Sequence, residues 1–274
     1  MTGLLDELRR QRDYECRLTP DRALQTIEEA HAFLRERGML TRTPDSSLPS
    51  LYEACHEQPY LTGSRGFGSW PATKWPWAAE LAERADVHAL KIHRSKTILL
   101  SEETLALADP ICRAELARME HADPGWRRLL TYLAQAGPAL AQDAATELGL
   151  GPKELKALRY PLERCGALIS RQVTLRSGDG GHVHSSELAR WDQAFPAPPV
   201  PRRAGTAQAT GPADLADHLA ALLAAAVRAA VLAPERELAR WFSWQWLFSA
   251  DLVDRLVADC VISRPAPGWV AASA

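Results

Sequence analysis

Three helical periods, each ended by a glycine, and the two extended runs after them constrain the fold more than any other feature of this sequence. Apolar residues recur with helical spacing over 126–136, 142–148 and 152–165. The extended runs, 167–176 and 182–185, are joined by a glycine-rich stretch that favours a turn. Three helices followed by a β-hairpin is the order of a helix-turn-helix with a wing.

A proline-rich stretch divides the chain. Residues 196–213 contain five prolines and almost no large apolar side chain, which predicts an exposed linker. Two regions precede this linker, an N-terminal winged-helix-like region over 1–120 and a winged-helix domain over 121–195. A C-terminal winged-helix-like region over 214–274 follows it. The expected fold is therefore mainly α with short β-hairpins, arranged as tandem winged-helix units.

The two flanking regions repeat the order of elements more loosely. In the N-terminal region we expect helices over 20–37, 48–57 and 77–84, and then a hairpin of 87–93 with 97–100. In the C-terminal region we expect helices over 214–232, 234–242 and 250–259, and then a hairpin within 261–270.

Charge and composition exclude several classes of protein. The 32 Lys plus Arg oppose 34 Asp plus Glu, and 46% of the residues are apolar, which excludes a histone-like or wholly disordered chain. The five cysteines form no CxxC pair, and His182 and His184 have no third ligand nearby in sequence. No apolar run could span a bilayer, and the first residues do not resemble a signal peptide. We expect a cytoplasmic protein without metal, cofactor or membrane partner.

The predicted third helix and wing are locally basic. Residues 151–176 carry six cations against two glutamates, a local charge of +4 in a chain of net charge −2. The six cations are Lys153, Lys156, Arg159, Arg164, Arg171 and Arg176. The first three recur every third residue on the face opposite the leucines, and the last two lie on the wing. This pattern predicts phosphate contacts with duplex DNA, and a solvated amphipathic face is the alternative.

The segment 60–77 combines aromatic side chains with glycines and cations. Phe67, Trp70 and Trp75 could stack a base while nearby cations neutralise its phosphate, as in proteins that hold an extruded or single-stranded nucleotide. Alternatively, the same side chains bury this long loop against the N-terminal core. The two interpretations differ in whether the rings are exposed.

Three segments carry a resemblance to a known family. Leu155–Ser170 in the middle domain, Phe67–Trp77 in the aromatic loop and Arg240–Trp244 near the C-terminus resemble actinobacterial AlkZ-related winged-helix proteins. That group is similar, at a distance, to tandem winged-helix DNA glycosylases that remove alkylated or crosslinked bases. The resemblance implies winged-helix units, DNA binding and a connection with DNA repair.

The resemblance also suggests where to look for catalytic residues. The catalytic branch uses Gln-x-Gln or Gln-x-Asp, and Gln11-Arg12-Asp13 is the match among the glutamines of this chain. It lies in a charged stretch before the first expected helix, so we expect a DNA-binding protein without the family's usual chemistry. Glu57 and Gln58, beside the aromatic loop, are substitute candidates. The alternatives are a glycosylase acting on alkylated or crosslinked bases and a winged-helix scaffold for protein interactions.

The C-terminal region has the opposite character. Residues 241–248 contain five aromatic side chains, and the charge from residue 215 onward is −1. This region therefore lacks an electrostatic footprint for DNA, and we expect its aromatic cluster to form core or a contact with another domain or a second protomer.

Overall fold

A computed structural model describes residues 2–176, 182–196 and 211–273. The helices are α1 (Thr2–Glu15), α2 (Ile27–Arg37), α3 (Trp77–Ala82), α4 (Glu102–Ala122), α5 (Pro124–Ala136), α6 (Ala141–Glu147), α7 (Pro152–Cys165), α8 (Trp191–Ala194), α9 (Pro212–Ala230) and α10 (Leu252–Ala258). The strands are β1 (Met39–Thr41), β2 (Val87–His93), β3 (Lys96–Ser101), β4 (Ala139–Leu140), β5 (Leu168–Arg176), β6 (His182–Arg190), β7 (Leu232–Pro234), β8 (Ile262–Ala266) and β9 (Trp269–Ala272).

Three segments of the chain share one order of elements and one sheet topology. We name them the first unit (27–101), the middle unit (124–190) and the third unit (212–272). Each begins with a helix and a short strand, continues through a helical or turn segment and a further helix, and ends with two antiparallel strands. In each sheet the last strand lies between the other two, in the orders β1-β3-β2, β4-β6-β5 and β7-β9-β8. The mainly helical fold with short β-hairpins is therefore confirmed.

The middle unit follows the sequence prediction closely. The Asp123 carboxylate accepts hydrogen bonds from the backbone N–H groups of Gly125 and Trp126, and so caps α5. Helix α7 runs unbroken through Pro161 and ends at Gly166, whose φ of 83° is left-handed. The hairpin of β5 and β6 is longer than predicted, because β6 continues to Arg190. The turn at 177–181 lies outside the described residues.

Two predictions for the N-terminal region are wrong. The charged residues before 19 form helix α1, and the next helix begins at Ile27, because the hydroxyl of Thr26 caps it by accepting from Glu29 N–H. Residues 20–22 form only a 3₁₀ turn. The expected helix over 48–57 is a series of turns, since the Pro49 carbonyl and the Leu51 N–H pair with Thr41 of β1, and the hydrogen bonds that follow, such as Ala54 N–H to the Ser50 carbonyl, form turns only.

The C-terminal region is closer to its prediction. Helix α9 begins at Pro212, inside the end of the expected linker, and residues 197–210 of that linker lie outside the described residues. The expected helix over 234–242 is a 3₁₀ segment over Glu235–Arg240. Helix α10 and the hairpin of β8 and β9 lie where the sequence predicts them.

The C-terminal aromatic cluster joins the units. Trp241 and Trp244 are fully buried, and the Trp244 indole N–H donates to the Cys165 carbonyl at the end of α7, at 3.0 Å. The backbone N–H of Ser243 donates to the Ile92 carbonyl in the first unit. The prediction of core or an interdomain contact is confirmed. Trp246, 52% exposed, is the large apolar side chain of this cluster that remains exposed.

The helices carry no membrane signature. Within the described residues, none combines the length and the apolar character needed to cross a bilayer.

Candidate nucleic-acid interface

Helix α7 presents one continuous exposed stripe. The exposed residues Lys153, Lys156, Ala157, Tyr160 and Arg164 are spaced at i, i+3, i+4, i+7 and i+11, so they lie along one side of the helix. On the other side Leu155 and Leu162 are buried in the core. The stripe therefore consists of three cations, one aromatic ring and a small residue that keeps the surface flat between them.

Arg159 does not belong to this stripe, which corrects the sequence prediction. Its guanidinium lies 3.3 Å from the carboxylate of Glu163, and its side chain is 21% exposed. Glu163 is itself buried and accepts from Lys91 of β2 at 2.7 Å. Since three residues per turn is shorter than the 3.6 of an α-helix, a stripe of period three rotates toward the neighbouring unit. Arg159 therefore helps to hold α7 against the first unit.

The two cations predicted for the wing, Arg171 and Arg176, both lie on β5. Arg171 is exposed on β5, the first strand of the predicted wing. The side chain of Arg176 lies outside the described residues, although its backbone ends β5. Within the described residues, no carboxylate forms an ion pair with Lys153 or Lys156. Glu154, which lies between them, is occupied because its carboxylate accepts from Gly151 N–H at 2.7 Å.

The aromatic segment of the first unit forms a cluster of rings. Phe67 lies between Trp70 and Trp75, with ring centroids 4.9 Å and 5.1 Å away. Trp70 also contacts Tyr52, at 5.5 Å, and packs against the core of the first unit. Phe67 and Trp75 are exposed. Trp70 therefore closes the core, as the second interpretation expects, while Phe67 and Trp75 have the exposure that base stacking would require.

Beside this cluster is a cavity of about 650 Å³, which we call the aromatic groove. Its lining includes Arg42, Asp45, Tyr52, Glu53, Glu57, Arg65, Trp70 and Lys96. The Arg42 guanidinium carbon lies 4.3 Å from the centre of the Trp70 ring, and burial lowers the pKa of Arg42. Cations and carboxylates are mixed in this lining, so the groove has no single sign of charge.

Two carboxylates of the groove are already engaged. Burial alone would raise the pKa of Asp45, but hydrogen bonds from Lys96 and Thr43 hold it below its ordinary value. Burial opposes a similar lowering of the pKa of Glu57, whose carboxylate accepts from Thr73 and from Lys74 N–H. Gln58 is exposed and is not part of the groove lining. Of the two substitute candidates, only Glu57 lies in the groove.

The Gln-x-Asp triplet does not form a joint site. Both residues belong to α1, where positions i and i+2 face different directions. Gln11 is exposed and donates to the Glu15 carboxylate at 2.7 Å. Asp13 lines a separate cavity of about 530 Å³, which it shares with Asp45 and Glu237. The charged stretch is a regular helix that precedes the first helix predicted from the sequence.

Sequence reasoning missed several residues of these sites. The sequence does not predict that Tyr160 is exposed, because a single tyrosine on a basic helix forms no recognisable pattern. Its exposure depends on how α7 packs against the rest of the chain. Arg42 and Asp45 follow β1 in an irregular loop, and only the tertiary fold brings them to the aromatic segment. Within the described residues, no group of three His, Cys, Asp or Glu side chains could hold a metal ion.

Comparison with known proteins found no matching family model, no matching curated protein and no matching solved structure. Any function proposed for this chain therefore depends on its own residues and their geometry.

Proposed function

We propose that this chain is a DNA-binding protein built from three winged-helix units, and that the middle unit contacts duplex DNA through α7 and its hairpin. The observation that supports this proposal is the exposed stripe of Lys153, Lys156, Tyr160 and Arg164 on the third helix of that unit. In winged-helix and helix-turn-helix proteins this helix enters the major groove. A helix at this position with unpaired cations is suited to phosphates on either side of a groove.

The charge distribution favours contacts that are mostly independent of sequence. Lysine ammonium groups on flexible stems neutralise phosphates as point charges, and each neutralised phosphate releases counterions. Tyr160 and Ala157 are the stripe residues that could approach base edges. We expect nanomolar to micromolar binding at low salt, falling steeply as salt rises.

The test is a fluorescence anisotropy titration of a labelled 20-base-pair duplex of arbitrary sequence at low salt. The variant Lys153→Gln with Lys156→Gln removes two cations from the stripe and should weaken binding about tenfold. The matched control is Arg35→Gln with Arg228→Gln, which removes two exposed cations from α2 and α9 that have no ion-pair partner among the described residues. Equal affinity for the two double variants would place the contact elsewhere.

The aromatic groove supports a second candidate function, the excision of damaged bases. Exposed Phe67 and Trp75 next to a cavity of about 650 Å³ could receive an extruded base. A carboxylate of the groove would then be the catalytic group, because neither Gln11 nor Asp13 lines that cavity. Asp45 and Glu57 are the candidates whose carboxylates lie in the lining.

This second candidate is tested by incubating the protein with duplexes that carry N7- or N3-alkylpurines or an interstrand crosslink, and then assaying abasic sites. Excision lost in Asp45→Asn or Glu57→Gln but retained in Asp13→Asn would assign the activity to the groove. Excision lost in Asp13→Asn would show that the Gln-x-Asp motif works here. Without excision, the groove has no catalytic role on these substrates, and the DNA-binding proposal is unaffected.

A further inference from the structure

A small basic pocket lies where the three units meet. Each unit contributes one arginine to its lining: Arg94 from the turn between β2 and β3, Arg164 from the last turn of α7, and Arg240 from the 3₁₀ segment before the aromatic cluster. The remaining lining residues are Ser95, Phe242, Ser243 and Gln245. The cavity has a volume of about 380 Å³, which is enough for a phosphate group with its water.

This arginine pocket differs from its neighbours in charge balance. Its lining contains three guanidinium groups and no carboxylate. The aromatic groove, by contrast, pairs its cations with Asp45 and two glutamates, and the cavity next to Arg164 contains Glu115. Within the described residues, no ion pair is formed by any of the three pocket arginines. Three like charges that converge in one cavity repel one another, and a bound anion would offset this repulsion.

Contacts with backbone carbonyls hold two residues of the pocket, Arg94 and Ser243, in place. The Arg94 guanidinium donates to the carbonyl oxygens of Asp45 and Arg240, so it is anchored without an ion pair among the described residues. Ser243 donates through its backbone N–H and through its hydroxyl to the Ile92 carbonyl, both at 3.0 Å. The Arg94 fork is therefore held in place before a ligand binds, and the planar fork of an arginine matches the bidentate geometry of phosphate oxygens.

The turn that carries Arg94 is strained. His93 pairs with Lys96, so Arg94 and Ser95 form a two-residue hairpin loop, and their φ angles are 47° and 61°. Such a turn needs left-handed backbone at both positions, where Asn-Gly is the usual choice. Backbone strain of this kind is concentrated at ligand sites, where it places a side chain that a relaxed turn would not.

We propose that the arginine pocket is a phosphate-binding site that forms only when the three units are docked. The ligand is either a free phosphate or a backbone phosphate of nucleic acid, since both present the same oxygens to the arginines. A backbone phosphate here would extend the α7 interface, because Arg164 belongs to both; that source depends on the proposed DNA binding, and the free-phosphate source does not.

The test measures the melting temperature of the full chain in potassium phosphate and in potassium chloride at matched ionic strength and pH. Phosphate stabilises most proteins non-specifically, so the informative quantity is the difference between variants. Arg240→Gln removes one arginine whose side chain makes no hydrogen bond within the described residues, and it should weaken phosphate binding about tenfold or more. The control is Arg236→Gln, which removes an exposed cation of the same 3₁₀ segment outside the pocket.

The outcomes separate the two sources of phosphate. A phosphate-dependent rise in melting temperature that Arg240→Gln reduces and Arg236→Gln retains identifies a free-phosphate site. Equal rises in all three proteins, with a DNA salt slope lower by about one in Arg240→Gln alone, identify a backbone phosphate. Equal rises together with equal salt slopes would overturn the proposal.

Failure of this site and failure of the α7 interface give different results. Lys153→Gln with Lys156→Gln leaves the pocket intact and should retain the phosphate response of the wild type. If that double variant also retains full DNA affinity while Arg240→Gln loses its phosphate response, the α7 interface is refuted and the arginine pocket stands.

Discussion

The middle and third units share a topology, but the helix before the hairpin, which we call the third helix of each unit (α7 and α10), has a different surface in the two. On α7 the exposed cations Lys153 and Lys156 have no ion-pair partner among the described residues. On α10 the exposed residues include Asp254 and Arg255, and both are engaged: Asp254 with Arg264 at 2.6 Å, and Arg255 with two aspartates at 3.5 and 3.7 Å. One helix presents net positive charge to solvent, and the other presents balanced pairs.

The difference shows that two units of one topology can present different surfaces. The third unit instead supplies aromatic side chains to the junction, where Trp244 donates to the end of α7. We therefore interpret the third unit as a support for the middle unit. The predictions that follow separate these two roles.

The largest effect is expected at the junction. Trp244→Ala removes a fully buried ring and the hydrogen bond to Cys165, and should lower the free energy of unfolding by about 3–5 kcal/mol. Trp246→Ala is the control, since that ring is half exposed, and should cost about 1 kcal/mol. Chemical denaturation measures both losses, and equal losses would show that the cluster does not couple the units.

The ends of the two third helices should respond in opposite directions. A Cβ at Gly166, after α7, would lie 2.5 Å from the Cys112 sulfur at a φ of 83°, so Gly166→Ala should cost about 3 kcal/mol. After α10, Cys260 has a φ of 56° and is exposed, so Cys260→Gly should gain about 0.5 kcal/mol. Thermal unfolding measures both, and a stabilising Gly166→Ala would contradict the tight packing.

A buried histidine beneath the arginine turn makes stability depend on pH. His93 is surrounded by Asp45, Ser46, Arg94, Lys96 and Trp241, and burial lowers its pKa to about 4 from an ordinary 6.5. The unfolded chain binds the proton first, so this stability is present above pH 6.5 and is lost as pH falls toward 4. The slope should reach about 1.4 kcal/mol per pH unit.

The check is urea denaturation of the wild type and of His93→Gln at several pH values between 4 and 7. The variant should lose less stability on acidification than the wild type, because carboxylates contribute equally to both proteins. Identical slopes would show that the pKa of His93 is the same in the folded and the unfolded protein.

The smallest effect is expected on α10. Arg255→Gln breaks exposed pairs with Asp217 and Asp251, which contribute little to stability. DNA affinity should change by less than about twofold, because this helix has no unpaired positive charge to offer a phosphate. A tenfold loss in an anisotropy titration would mean that both third helices contact DNA.

The fold was predictable where local signals were complete. Around α5 and α7 the caps, glycine stops and leucine periods agree, and the predicted helices are the observed ones. The segment 48–57 has helical composition, but pairing with Thr41 of β1 recruits its backbone. Such a contact depends on the tertiary fold, which local periodicity does not encode.

The candidate sites were predictable only in part, for the same reason. Basic residues near α7 are visible in the sequence, yet whether Arg159 is free or paired depends on Glu163 and on the docking of the first unit. The arginine pocket draws Arg94, Arg164 and Arg240 from segments more than 60 residues apart. No rule of sequence spacing connects these three arginines, so the pocket can be recognised only from the packed structure.

The most direct test of the account is the salt dependence of duplex binding for two variants side by side. Anisotropy titrations between 50 and 200 mM salt give the slope of log affinity against log salt concentration. Lys153→Gln with Lys156→Gln should reduce the magnitude of the slope by about two, and Arg255→Gln should leave it unchanged. An unchanged slope in the α7 variant, or an equal reduction in both, would contradict the assignment of DNA contact to the middle unit.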